Sequence, residues 1–305
     1  MSDLILHHYD LSPFGEKIRL AFGYKNLSWR SVDVPVWPPK PDLMPLTAGY
    51  RRVPVLQVGA DIYCDTLLIL REIERRHPEP TLYPDAQFGL AAILSSWVDA
   101  ACFLPAATLT TSIIGDSLPE EFLTDRVDFM KHDFSKEASL RELPRNRQRM
   151  HAAITLLASM LQDGRPYLLG PTLSAADLSA YHTLWFARKN GGAAAEAMLP
   201  LAPLLGWMDR VAAVGHGDRH PMTAEAALAT SRGATPEAAA GVAITDPSCL
   251  AAGTAVQVHT QEPGDAINGT LVAANPDQIV IAHHDERAGT VHVHFPRLGY
   301  TVVAA

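Results

Sequence analysis

The stretch that decides the fold reads Ser12-Pro13-Phe14-Gly15-Glu16-Lys17-Ile18-Arg19 and follows a short apolar segment, Leu4 to Tyr9. The apolar segment predicts a β-strand. Ser12 and Pro13 predict the start of a helix, because a serine side chain caps the free backbone N–H groups there and proline has no N–H to satisfy. Apolar residues then recur at helical spacing. The chain therefore opens with a strand followed by a helix.

Strand and helix signals alternate over the next part of the chain. Residues 29–34, 53–58 and 62–64 predict three strands, and Asp65-Thr66 can cap a helix that runs from Leu67 to about Arg76. A proline-rich loop separates the second strand from the third, and an irregular helix inside that loop is left open. The predicted order is β-α-β-β-β-α.

From Gln87 to about Ala229 the strand signals vanish and apolar residues follow helical spacing, which predicts a bundle of five or six helices. Five short alternating segments begin near Thr254 and predict a small antiparallel β barrel or sandwich. The predicted fold is an α/β domain, an all-α bundle and a small all-β domain. The predicted boundaries are 1–83, 87–230, a linker over 231–247, and 248–305.

Composition excludes several classes of partner. The 305 residues are 48% hydrophobic and 19% charged, which is typical of folded chains. The formal net charge is -8, so we expect neither nucleic acid nor a membrane surface as a partner. The apolar run from Ala91 to Leu104 is interrupted by Ser95, Ser96 and Asp99 and predicts no membrane span. The N-terminus has no visible signal-peptide pattern.

The cysteines indicate a reducing compartment. Cys64, Cys102 and Cys249 are odd in number and widely spaced, which favours neither a disulfide framework nor a zinc knuckle. We therefore expect reduced thiols and a cytoplasmic protein.

Three local features can carry chemistry, and each has a purely structural alternative. The Ser12 hydroxyl at a helix start can face an anion such as a thiolate, or can simply cap the helix. A proline at the start of the strand after Val53 gives up a ladder hydrogen bond, so Val53-Pro54 is either a cis peptide or an edge strand with trans proline. Asp65-Thr66 is either a second helix cap or a site for a ligand carboxylate and ammonium.

Together these features resemble the cytosolic glutathione transferase family. The resemblance rests on Ser12–Arg19, Arg52–Leu56 and Cys64–Thr66, and on Tyr167–Asp177 in the helical half. That last stretch resembles the family's buried capping motif, in which Ser174 caps a core helix. Asp177, at the third helical position, completes the capping box by hydrogen-bonding back to the N-cap residue. The resemblance covers about residues 1–230 and implies a thioredoxin-like N-terminal domain and a helical C-terminal domain. It does not cover 231–305.

The resemblance also implies a set of site residues. Ser12 would be catalytic, hydrogen-bonding the sulfur of glutathione, and Tyr9 is the alternative for that role. The backbone of Val53 would pair with the cysteinyl part, Asp65 and Thr66 would hold the γ-glutamyl end, and Arg52 would lie near the glycyl end. The family usually has Glu or Gln followed by Ser where this chain has Asp65-Thr66. The implied glutathione-binding residues are Phe14, Arg52, Val53, Pro54, Asp65 and Thr66.

The function that the resemblance implies is a glutathione transferase, with glutathione as co-substrate and a small-molecule electrophile as the other substrate. The alternatives are a catalytically silent binding module and a glutathione-dependent isomerase or lyase. Family members are commonly dimers, and we expect a homodimer here.

The terminal strands carry several histidines, of which His292 and His294 share one face of a strand. This arrangement suggests a metal site, but no carboxylate or cysteine lies at a regular ligand spacing. The sequence therefore predicts no metal and a C-terminal domain that serves packing, dimerisation or partner binding, or that covers the mouth of the active site.

Overall fold

The computed structural model describes residues 3–239, 246–260, 264 and 266–305. They fold as two compact units. Unit 1 contains Met1–Asp10, Ser28–Glu72 and Asp218–Ala305, and unit 2 contains Leu11–Leu27 and Ile73–Gly217. The predicted domain boundaries remain predictions, since parts of a chain that share one compact unit can still be separate domains. Residues 240–245 of the predicted linker lie outside the described residues.

Unit 1 is built around one sheet, which has ten strands in the described residues. The strands are β1 (Ile5–His8), β2 (Ser28–Asp33), β3 (Val55–Val58), β4 (Asp61–Cys64), β5 (Asp218–Pro221), β6 (Ala255–Thr260), β7 (Ile267–Ala274), β8 (Gln278–Asp285), β9 (Gly289–Pro296) and β10 (Tyr300–Ala304). Their order in the sheet is β10-β6-β7-β8-β9-β4-β3-β1-β2-β5. The helices of this unit are a single turn, α2 (Met44–Thr47), the first part of α3 (Thr66–Arg76), and α9 (Ala224–Arg232).

The first four strands have the thioredoxin-like arrangement that the sequence predicted. β1 pairs parallel to β2 and antiparallel to β3, and β3 pairs antiparallel to β4. The irregular helix left open in the proline-rich loop is the single turn α2. β5 was not predicted, because its residues Asp218-Arg219-His220-Pro221 have no alternating apolar pattern. It is an edge strand that pairs parallel to β2.

The five C-terminal strands are present as predicted, and β6 to β9 form an antiparallel meander, with β10 beside β6. β9 also pairs parallel to β4, with Ile62 opposite Val293, so the five strands are hydrogen-bonded to the sheet of the N-terminal part. The physical reason is that β4 would otherwise be an edge strand with unpaired backbone N–H and C=O groups, and β9 pairs with them.

One hydrophobic core joins the two parts of this sheet. Ile281, Val293 and Phe295 of the C-terminal strands are fully buried together with Val55 and Ile62 of the hairpin. Burying such side chains contributes about 1.5–3 kcal/mol each. The apolar residues on alternate positions of β8 and β9 therefore face the same core as β3 and β4.

Unit 2 is helical. It contains α1 (Pro13–Tyr24), the end of α3, α4 (Phe88–Ile114), α5 (Glu120–Met130), α6 (Lys136–Ser159), α7 (Ala175–Met198) and α8 (Leu205–Ala212), with 3-10 turns at Pro84–Ala86, Gly115–Ser117 and Ala202–Leu204. α4 packs against α6 and α7, and α1 packs against α7. Gly23 lets α1 pack closely against the backbone at Gly215, because a Cβ at position 23 would lie 2.0 Å from the carbonyl oxygen of Gly215.

The capping motif predicted at the start of α7 is confirmed. Asp177 is fully buried, and its Oδ2 atom accepts hydrogen bonds from the Ser174 N–H at 2.9 Å and the Ser174 hydroxyl at 2.6 Å. Its Oδ1 atom accepts from the Leu168 N–H and the Trp207 Nε1–H, both at 2.8 Å. Burial raises the pKa of Asp177, and these hydrogen bonds oppose that shift. One carboxylate thus joins a loop, a helix start and α8.

Residues 88–117 are long and apolar enough to cross a membrane, by length and composition alone, and are the only described segment that is. This stretch is longer than the run from Ala91 to Leu104 on which the sequence prediction rested. It is weak evidence for a span, because the core helix of a soluble protein passes the same test, and α4 packs between α6 and α7 within the unit.

Candidate functional site

Ser12 is the N-cap of α1, as the sequence predicted. Its Oγ atom accepts a hydrogen bond from the Gly15 N–H at 3.0 Å, and the residue is 1% exposed. Gly15 leaves room for this contact, since a Cβ at Gly15 would lie 3.1 Å from the Ser12 Cβ. Because the amide uses an oxygen lone pair, the hydroxyl proton can be donated to a second group, and the partial positive charge of the helix start favours an anion there.

Phe14 lies one residue into α1 and packs on two rings of unit 2. Its ring centroid is 4.9 Å from that of Phe103 and 4.8 Å from that of His182. Phe14 therefore belongs to a cluster of rings in unit 2. Tyr181, on the same helix as His182, packs edge-on against Trp207 at 6.3 Å and is buried.

A polar cluster beside Phe14 was not predicted from the sequence. Lys17 is 1% exposed, and its Nζ atom lies 2.9 Å from Oδ2 of Asp99 and 5.4 Å from the centroid of the Phe14 ring. His182 Nε2 lies 2.9 Å from Oδ1 of the same carboxylate. Burial, with the Lys17 charge, lowers the pKa of His182 well below its usual value, so the ring is neutral and donates to Asp99.

In unit 1 the remaining predicted residues meet at one end of the β3–β4 hairpin. Val55 is opposite Cys64 in the register, so Val53-Pro54, which precedes β3, and Asp65-Thr66, which follows β4, lie at the same end. The Val53–Pro54 peptide bond is cis, which is one of the two alternatives that the sequence left open. Pro54 and Thr66 are buried, and Val53 and Asp65 are half-buried.

Asp65 begins α3 and is already bound by two donors. Its Oδ1 atom accepts from the Leu67 N–H at 2.9 Å, which is a capping contact, and its Oδ2 atom accepts from the Tyr300 hydroxyl at 3.2 Å. Tyr300 lies on the C-terminal strand β10, and its oxygen is 3.3 Å from the hydroxyl of Tyr50. Since a carboxylate only accepts, the Tyr300 hydroxyl donates its hydrogen bond to Asp65. Tyr50 therefore donates to the Tyr300 oxygen.

Burial raises the pKa of both Tyr50 and Tyr300, and the neighbouring Asp65 carboxylate raises them further. Both phenols therefore stay protonated and act as donors. Sequence reasoning missed this pair because Tyr300 is separated from Asp65 by most of the chain. The nearest signal was that Tyr300 begins one of the alternating C-terminal segments.

The other predicted residues are placed as follows. Arg52 is half-buried in unit 1, and its positive charge acts to lower the pKa of Tyr50 against the larger effect of burial. Tyr9, the alternative to Ser12, is half-buried in the same unit. Cys64 is a buried strand thiol whose pKa is raised well above its usual value by burial and by the adjacent Asp65. All three cysteines are unpaired, as predicted.

Comparison with known proteins identifies the class. Residues 6–81 match the description "Glutathione S-transferase, N-terminal domain", and residues 141–210 match "Glutathione S-transferase, C-terminal domain". A GST-like protein from Pseudomonas syringae is 37% identical over 100% of both chains, with a TM-score of 0.81. The chain therefore belongs to the glutathione S-transferase family, and because that match spans both chains completely, the similarity includes the C-terminal strands.

The chain is also similar to two more distant relatives. Rice GST1, solved in complex with glutathione, is 21% identical over 69% of this chain and 86% of its own, with a TM-score of 0.50, which supports the fold. FtsZ-localized protein A of Caulobacter vibrioides (strain NA1000 / CB15N) is 25% identical over 187 residues, which are 57% of this chain and 73% of that protein.

Proposed function

We propose that the chain binds glutathione and activates its thiol for attack on an electrophilic small molecule, as a cytoplasmic protein. The observation that carries the proposal is the Ser12 hydroxyl, which caps α1 through its oxygen and can donate its proton to a sulfur. Under this proposal the Val53 backbone binds the cysteinyl part of glutathione, and Asp65 and Thr66 bind the γ-glutamyl end. Arg52 binds near the glycyl carboxylate.

The energy required is within reach of this geometry. A free thiol has a pKa near ~8.5, and lowering it by about two units requires about 2.7 kcal/mol of preferential binding to the thiolate. A hydrogen bond to a charged acceptor contributes about 1.5–3 kcal/mol, and a helix start contributes about 0.3–1 kcal/mol. Ser12 at the start of α1 can supply both contributions.

The test compares Ser12→Ala with Ser135→Ala. Ser135 is the N-cap of α6 and accepts from the Ala138 N–H at 3.3 Å, so the control removes the same kind of cap. Glutathione turnover against a panel of electrophiles should fall about 10- to 100-fold in Ser12→Ala only, the loss of a hydrogen bond to a charged group. Equal turnover in both variants would assign the role to Tyr9 or to backbone donors.

A second candidate is a glutathione transferase fold that binds a protein partner and has no transferase activity. Two observations favour it: Ser12 is 1% exposed, and the Asp65 Oδ2 atom already accepts from Tyr300. The name of the Caulobacter relative links that protein to FtsZ, which makes FtsZ the partner to test first.

The two candidates give opposite results in two assays. A glutathione-binding enzyme is retained on immobilised glutathione and is released by free glutathione. A binding module passes through that column, and co-sediments with purified FtsZ filaments. Retention without co-sedimentation supports the enzyme, and the reverse result supports the module.

We further propose a homodimer. Unit 2 exposes apolar side chains on α4, where Leu90 is 51% and Ile93 is 68% exposed. Leu90 and Ile93 are neighbours at i, i+3 spacing on the helix, and contiguous exposed apolar groups mark surfaces that contact another protein. Light scattering coupled to size-exclusion chromatography tests this, and Ile93→Glu should shift the mass from two chains to one.

A further inference from the structure

Three side chains from distant parts of the sequence meet where β4 pairs with β9. Asp61 and His292 are opposite each other in the register, and His294 is two residues further along β9. One oxygen or nitrogen atom from each of the three lies within 4.8 Å of the others. The carboxylate that the sequence did not supply for His292 and His294 is therefore Asp61, brought in by the parallel strand pair.

We propose that Asp61, His292 and His294 bind a divalent transition-metal ion of the zinc class. Two imidazoles and one carboxylate are a ligand set typical of Zn²⁺ and its neighbours, and a poor set for Mg²⁺ or Ca²⁺, which prefer oxygen ligands. The proposal is independent of glutathione binding.

The distances suit a metal ion. Ligand atoms about 2.0–2.1 Å from a tetrahedral Zn²⁺ lie roughly 3.4 Å apart. The Asp61 Oδ1 atom is 2.9 Å from His294 Nε2 and 4.0 Å from His292 Nδ1. These two distances lie on either side of the ideal value, and the three ligand atoms all lie within 4.8 Å of one another, so binding requires small side-chain rotations that draw them together.

Each imidazole ring also has a contact on the side away from Asp61, and these contacts help to orient the ring. His294 Nδ1 is 3.2 Å from Gln278 Oε1, and its ring stacks on Tyr63 with centroids 4.4 Å apart. His292 hydrogen-bonds the backbone of Glu237, while its Nδ1 atom is buried without a hydrogen-bond partner. Metal-binding histidines usually donate the other ring N–H to a carbonyl in this way.

The same contacts also allow a metal-free alternative. A neutral His294 can donate its Nε2–H to the Asp61 carboxylate, with the Gln278 amide rotated so that its nitrogen donates to Nδ1.

Such a site would hold the C-terminal strands to the N-terminal part of the sheet. The side chains of Asp61, His294 and His292 are 2%, 7% and 17% exposed, so the ion would be largely enclosed. Three protein ligands leave one tetrahedral position for water. Because the ligands come from both β4 and β9, binding would stabilise the pairing of these strands.

The experiment uses the full chain without a histidine tag, treated with a chelator and then titrated with ZnCl2 against a chromophoric competitor. Wild type should bind about one equivalent, and His292→Ala and Asp61→Asn should bind about 100-fold more weakly or worse, beyond the loss typical of an outer-shell change. The matched control is His284→Ala, an exposed histidine on β8 that lies outside the cluster. It should bind as wild type does.

Thermal unfolding provides the second measurement. Added ZnCl2 should raise the Tm of wild type and of His284→Ala, and leave that of His292→Ala unchanged. The wild-type chain alone can overturn the proposal: no binding above background would show that Asp61, His292 and His294 hold no metal and only hydrogen-bond one another. Equal binding by wild type and His292→Ala would place the zinc at another site and would also overturn it.

Discussion

Replacing Asp177 by asparagine should destabilise unit 2 more than any change of similar size on its surface. The amide oxygen of Asp177→Asn can still accept from the Leu168 N–H and the Trp207 Nε1–H. The amide nitrogen then faces the Ser174 N–H, which lies 2.9 Å from Oδ2 in wild type and would lose its acceptor. A buried donor without a partner costs about 1–3 kcal/mol. The lost charge-assisted bond from the Ser174 hydroxyl brings the expected total to about 2–4 kcal/mol.

The assay is urea unfolding followed by circular dichroism in the far ultraviolet, which the helices of unit 2 dominate. Asp163→Asn is the control, because Asp163 is an exposed carboxylate that binds Arg165, and a solvent-screened pair of this kind should leave the urea midpoint close to that of wild type. Asp177→Ala, which leaves the Leu168, Trp207 and Ser174 donors unpaired, should cost more than Asp177→Asn. If Asp177→Asn unfolds at the same urea concentration as the control, the four hydrogen bonds do not hold α7 in place.

Three further predictions follow from named contacts. Burial lowers the pKa of His7 from 6.5 to about 4, so the free energy of unfolding should fall as the pH drops from 6.5 to 4. In urea titrations over that range, His7→Leu should lose about 3 kcal/mol less of this free energy than wild type loses. Gly23→Ala should lower the free energy of unfolding by more than about 3 kcal/mol, because the new Cβ would overlap the Gly215 backbone. The control Gly89→Ala has open space around it and should be neutral or stabilising in the same assay. Tyr300→Phe removes the hydrogen bond to Asp65 Oδ2, so calorimetry should show glutathione binding about 2- to 10-fold tighter. Weaker binding would show that Tyr300 instead orients the carboxylate for the ligand.

Elements that depend on local rules were predicted closely. α4 spans Phe88–Ile114 and opens the stretch from Gln87 to about Ala229 that was predicted to be helical. The residues before β3 and after β4 lie at the same end because a hairpin is a local structure. The capping role of Asp177 was also predictable, since its partner Ser174 is three residues away. In each case the signal and the structure it specifies lie within one turn or one hairpin.

Contacts between distant segments could not be predicted in this way. The Asp61–His294 pair is separated by 233 residues and exists only because β9 pairs with β4. The alternation of apolar residues in β9 predicts a strand with one buried face, but it does not specify the partner strand. The Lys17–Asp99–His182 cluster was missed for the same reason, because it depends on how α1, α4 and α7 pack.

The placement of the C-terminal strands bears on function more than their sequence suggested. Predicted as an appendage, they instead pair with β4 through β9, and β10 supplies the Tyr300 hydroxyl to the carboxylate of Asp65, which we propose as a ligand for glutathione. Because one of these strands covers a sheet edge and another hydrogen-bonds a proposed site residue, changes in them should alter how that residue is held. The role of residues 255–304 is therefore best sought at the end of β4, in how Asp65 and Asp61 are held, before any separate partner is invoked.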